Sequence, residues 1–358
     1  MTKMIKYEFR KIFGRHISLI ALAAVILLSL ILTVSTWQNL YAFDGKSREG
    51  TGQTAVEIDK SVAETYRGVL TDEKLRQMMS DFAPKTDLHG LNARYLYQNF
   101  IQSALFYRFF DSNGSWNGLS VSDVYGGEEI TIGYIDGWLK TSRNMVRSFL
   151  VLSFAVLLAA APVYAGEYGG MDNILLTGRY GRTKCVLAKG IAVFLYAFLA
   201  TMLLAALNLL PAAAIYGTDG LECSVLFSSS DFGDYYIPFN ITCGTLLKYQ
   251  VLLAFTGILG AVGTALILSA AAKSALTAFA GAAAVYFLPL LLPVSETSPL
   301  FRYLALLPLY HVQFTALMSI ERLTGSIPYA VLAVPVALVI AAIGFMTSRA
   351  IFAKHQVR

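Results

Sequence analysis

Glu-Tyr-Gly-Gly-Met-Asp-Asn-Ile-Leu-Leu-Thr-Gly-Arg-Tyr-Gly-Arg-Thr-Lys, residues 167–184, lies between two long apolar runs. It is short, rich in glycine and basic towards its end. Met171, Ile174, Leu175 and Leu176 recur inside it at roughly helical spacing. A chain that leaves one apolar run, makes a single short amphipathic helix and enters the next run at once builds a protruding hairpin.

The flanking runs set the fold class. Of 358 residues, 56% are hydrophobic and 14% charged, against about 25% charged in an average soluble domain. Apolar runs of 18 or more residues recur, which is the pattern of membrane-spanning helices, and the weak alternation of a membrane barrel is absent. The expected fold is an all-α polytopic membrane protein with about six spans and a large helical extracellular insertion between the first and second.

Charge orients the spans. Lys3, Lys6, Arg10, Lys11 and Arg15 stand against Glu8 alone in the first 15 residues, and Arg349, Lys354 and Arg358 close the chain. Residues 38–145 hold 11 Lys/Arg against 14 Asp/Glu. Basic segments stay in the cytoplasm by the positive-inside rule, so both termini are expected inside a cell membrane and 38–145 outside. The basic residues hug membrane edges and form no separate patch, so nucleic acid is not an expected partner.

In chain order, residues 1–15 read as an interfacial helix with Met4, Ile5, Phe9, Ile12 and Phe13 on one face. The first span is expected at 16–37; its apolar length exceeds a signal peptide's, and no clear cleavage site follows. In the insertion, 38–145, Ser61–Phe82 has helical periodicity with Thr71 as an internal N-cap, and Arg94–Phe110 is an aromatic-rich helix. The second span is 146–166, kinked by Pro162, and the hairpin 167–184 follows on the cytoplasmic side. The third run, 185–216, would be about 48 Å as one helix, so it must tilt, or break near Asn208–Pro211. An outer loop, 217–245, precedes the fourth span, 246–272, where Gly257, Gly260 and Gly263 allow close helix approach. The fifth span is 275–293. Residues 294–326 read as re-entrant or interfacial outer helices, because a further crossing would put Lys354 and Arg358 outside. The sixth span is 327–349, with a cytoplasmic tail at 350–358.

Several chemistries are excluded by motif. No phosphate-cradling Gly-x-x-x-x-Gly-Lys-Ser/Thr occurs, no His-Glu-x-x-His, and no Cys/His metal spacing. No pair of aspartates lies within the spans. His16, His89, His311 and His355 are isolated. No enzyme activity or bound cofactor is therefore expected of the chain itself. Charged residues are nearly absent from span centres, which argues against an ion-coupled carrier and for an external energy source. Cys223 and Cys243 share one expected outer segment, and spacing alone leaves a disulfide between them open.

At the hairpin the chain resembles the permease subunits of ABC-2 type ABC transporters. The residues that carry the likeness are Ala165-Gly166-Glu167-Tyr168-Gly169, then Ile174-Leu175-Leu176-Thr177-Gly178-Arg179-Tyr180-Gly181-Arg182, then Lys184 and Ala188-Lys189. The likeness extends to layout over most of the chain. It implies a pair of permeases driven by separate ABC ATPase subunits, which would hold the ATP and magnesium. Residue chemistry is compatible with that role. Glu167 is placed to cap the following helix and face its positive end, and Gly169 and Gly170 to permit a sharp exit. Met171, Ile174, Leu175 and Leu176 suit insertion into a partner's groove. Gly178 and Gly181 would end the helix, leaving Arg179, Arg182 and Lys184 for lipid phosphates or acidic partner groups. The expected cargo is a peptide, lipid-like or drug-like exported substrate. The alternative is a membrane sensor or immunity component whose insertion recognises an extracellular peptide or lipid.

Overall fold

The computed structural model describes residues 1–82, 99–111, 115–168, 170–227, 240–295, 298–313 and 329–355. The main helices are α1 (Thr2–Phe13), α2 (His16–Gln38), α3 (Gln53–Thr65), α4 (Asp72–Phe82), α5 (Phe100–Phe109), α6 (Asp136–Ala160), α7 (Met171–Thr177), α8 (Val186–Tyr216), α9 (Cys243–Ala271), α10 (Ala275–Leu291) and α11 (Tyr329–Lys354). Four short strands accompany them among the described residues: β1 (Tyr41–Phe43), β2 (Glu49–Thr51), β3 (Gly68–Val69) and β4 (Thr131–Ile132).

Five helical segments among the described residues are long and apolar enough to cross a membrane: His16–Gln38, Asp136–Ala165, Gly181–Tyr216, Cys243–Ala271 and Tyr329–Lys354. The protein is thus a largely helical, membrane-embedded chain. The expected fifth span is the apolar α10, whose 17 residues extend about 26 Å at 1.5 Å per residue, a little under a bilayer core of about 30 Å. The reading of 294–326 as re-entrant or interfacial helices falls partly on residues outside those described; among the described ones lie two short helices, Phe301–Leu304 and Pro308–Val312. His89 and residues 94–98 of the expected aromatic helix also lie outside the described residues.

The helix that carries the expected second span starts ten residues before it, at the polar Asp136. Pro162 then breaks it. Having no N–H, Pro162 cannot continue the ladder, and it opens a separate turn, Pro162–Ala165. Pro211 behaves differently. The long third run does not break there: α8 runs unbroken through Pro211 for 31 residues.

The chain divides into two compact units. The first comprises 1–29, 145–207 and 249–358. Its helices meet where side chains are smallest. A Cβ on Gly344 would lie 2.4 Å from the carbonyl oxygen of Gly263, so α9 and α11 touch backbone to backbone. Gly257 and Gly260 similarly admit Pro308. Aromatic pairs close other contacts, Phe154 edge-on to Phe279 and Tyr164 against Phe352 among them. Ser269 of α9 accepts the backbone N–H groups of Tyr164 and Ala165 at 2.9 and 3.2 Å, holding the turn that precedes the hairpin. His311 is buried and bonded through Nδ1 to Thr256.

The second unit comprises 30–144 and 208–248. It is not purely helical. β1 pairs antiparallel with β2, and β3 with β4. The segment expected as one helix, Ser61–Phe82, is two, because Gly68 at φ +101 admits a strand between them. Thr71 does accept the Lys74 N–H at 3.3 Å, as an N-cap should. The loop expected as a separate outer segment is woven into this unit: Ser224 N–H donates to Thr131, and Ser224 faces Thr242. Cys243 N–H donates to the Cys223 carbonyl, so the two cysteines lie opposite one another, yet both are free thiols.

Candidate functional site

The hairpin begins with a carboxylate that sequence reading placed at a helix end. Glu167 instead turns inward and is 1% exposed. Its Oε1 accepts from Lys189 Nζ at 2.7 Å and from Lys11 Nζ. Lys189, itself 1% exposed, also binds Glu8 Oε2 at 3.1 Å. A buried network therefore joins α1 (Glu8, Lys11), the start of the hairpin (Glu167) and the first turns of α8 (Lys189). Arg15 stands beside it, close enough to feel both carboxylates, and donates to the Pro162 carbonyl at 3.1 Å. Three cations thus face two carboxylates. Burial pushes the Glu167 carboxyl up, but the charge of Lys189 and the bonds from Lys11 and Lys189 together outweigh it, and its pKa lies below the ordinary carboxylate value.

The position of α1 follows from its sequence. Ile12 and Glu8 are buried, Met4, Ile5, Phe9 and Phe13 half-buried, and Lys3, Lys6 and Arg10 exposed. Phe13 packs edge-on against Tyr196 of α8. The amphipathic face expected to lie on lipid is in part docked on the chain's own helices.

α7 presents two faces. Met171 is 50% exposed and Ile174 68%, while Leu176 is 3% exposed and Leu175 half-buried. Of the four apolar residues singled out, two are free to meet a partner and Leu176 is packed within its own chain. Asp172 is buried at the first turn, accepting from Gly170 N–H at 3.0 Å and pairing with His355 at 3.4 Å. The Asp172 carboxylate takes the Gly170 N–H, whereas Glu167 meets this turn through its backbone carbonyl, which accepts the Asp172 N–H at 3.0 Å.

The glycines are unequal. Gly169 lies outside the described residues. A Cβ on Gly170 would meet nothing within 4 Å, so no crowding requires glycine there. At Gly181 a Cβ would fall 1.5 Å from the Leu175 carbonyl oxygen, so the chain folds back over α7 only because this residue lacks one. Gly178 is in extended conformation.

The basic end is partly committed. Arg182 donates through Nε to the Leu176 carbonyl at 3.2 Å, and through Nη1 to the carbonyls of Ala353 and His355, tying the hairpin to the end of α11. Arg179 and Lys184 are exposed and flank the Tyr180 ring.

The buried network was the main thing sequence reading missed. A signal existed: Glu8 is the one carboxylate in a basic segment, and Lys189 the one charge between Val186 and Tyr216. Nothing local marks the two as a pair. No family model matches the chain, and no curated protein matches it.

Proposed function

We propose that the chain is the membrane-spanning permease subunit of an ABC-2 type exporter, powered by a separate ABC ATPase that grips the hairpin 167–184. The observation that supports this most is the two-faced α7. Its Met171 and Ile174 stand in solvent while Asp172, Leu176 and Arg182 fasten it to the chain behind. A helix anchored on one side and apolar on the other suits insertion into a groove. The network of Glu8, Lys11, Glu167 and Lys189 would carry a push on α7 to α1 and α8 together. In this reading the hairpin and both termini face the cytoplasm of a cell membrane, and two permease copies, identical or related, share a pair of ATPases. The cargo is peptide, lipid-like or drug-like.

The test is co-purification of the ATPase with full-length permease carrying Ile174→Asp or Met171→Asp. Recruitment should fall with these exposed positions. Retention of wild-type recruitment by both variants would remove the hairpin from the interface.

A further inference from the structure

The second unit contains a buried acidic group that the transport reading does not use. Asp59 of α3 is 4% exposed and Asp136, at the start of α6, is 3% exposed. The charges facing Asp59 among the described residues are Asp136 and Lys140, both on α6. Lys140 Nζ is 2.6 Å from Asp136 Oδ2, so the one ammonium in this group is bonded to the other carboxylate. Around them lie the buried Tyr134 and, from the end of α8, the buried Tyr216. From α5 only the Phe100 backbone N–H points at Asp59. Asp59 Oδ1 has no hydrogen-bond partner among the described residues.

Burying a carboxylate with one oxygen unpaired and no cation bonded to it costs several kcal/mol, and a second carboxylate beside it adds repulsion. Such a site resolves its charge by taking up a positive ion, and the smallest is a proton.

We propose that Asp59 is a proton-binding site, neutral in the folded unit at pH 7, and that its ionisation loosens α3 from the start of α6. Burial and the Asp136 charge both favour the acid form, and Lys140 only partly opposes them. The direction in pH follows. A carboxyl whose folded pKa is raised stabilises the fold fully below its unfolded value, and that contribution is lost as pH rises through the folded value. Because α6 continues into a candidate span, the proton occupancy of this site bears on a membrane helix. The inference is independent of the transport reading.

The test uses the full-length protein in lipid nanodiscs. Infrared spectra at pH 7 should show a protonated-carboxyl band that is missing from the isosteric Asp59→Asn variant. Hydrogen exchange across Gln53–Thr65 gives a second measurement that needs no variant to fold. In the wild type its protection should fall by up to about tenfold per pH unit as Asp59 ionises, beyond the intrinsic base-catalysed rise. In Asp59→Asn only the intrinsic rise should remain. Identical spectra of the two proteins at pH 7 overturn the proposal. So does a band that appears in the wild type only when sodium and potassium are replaced by a bulky organic cation, which would assign the site to a metal cation.

Discussion

Each unit buries a cluster of charges, and the two are unbalanced in opposite senses. In the first unit Lys11, Arg15 and Lys189 surround Glu8 and Glu167. In the second, Asp59 and Asp136 lie beside Lys140. A surplus of cations keeps its carboxylates ionised and makes them cross-links. A surplus of carboxylates drives one to take a proton and makes it a titratable joint. The same residue types thus give a clamp in one place and a release in the other, and the count of charges decides which.

The sharpest way to break this contrast is Lys189→Met. It leaves Glu8 and Glu167 buried with less compensation, and removing one member of a buried pair costs about 3–5 kcal/mol. Thermal or chemical unfolding in detergent should show that loss, whereas Lys184→Met, at an exposed position, should show almost none. Next comes Ile174→Asp. Burial of an isoleucine contributes about 1.5–3 kcal/mol, so ATPase recruitment should weaken on the order of 10- to 100-fold with unfolding unchanged. Gly344→Val would force a side chain against the Gly263 backbone; overpacking of this kind costs about 1–3 kcal/mol, read as a lower melting temperature.

The pH responses sharpen the comparison further. Glu167 has a depressed pKa, so its contribution is present above the unfolded carboxyl value, about 4.3, and is lost as pH falls through the folded one. Asp59 runs the other way and weakens its unit as pH rises. Hydrogen exchange should therefore show α1 loosening in acid and α3 loosening in alkali. The smallest expected effect is Met171→Ser, a few-fold weakening of ATPase recruitment, since a half-exposed methionine has less area left to bury.

Periodicity and hydropathy were sufficient for the apolar helices, because a bilayer demands length and composition that a single sequence displays. The small-residue stripe of α9 was equally readable, and Gly257, Gly260 and Gly263 do admit close neighbours. What sequence could not supply was pairing over distance. Glu167 and Lys189 are 22 residues apart, Glu8 and Lys189 are 181, and nothing local distinguishes a buried ion pair from two topology charges. The hairpin shows the same limit. Its helix was readable, but the inward turn of Leu176 and the commitment of Arg182 to α11 depend on chain that arrives much later. The two-strand sheets of the second unit are too short for an alternating pattern to rise above background.

Where Gly263 and Gly344 meet, no side chain stands between α9 and α11. Sliding one rod along the other would bring bulkier residues into a gap sized for none. Rocking about that point leaves the spacing unchanged. The contact thus suits pivoting of one rod on the other better than sliding, so a push at one end of a pivoting rod would reach its far end with reversed sense.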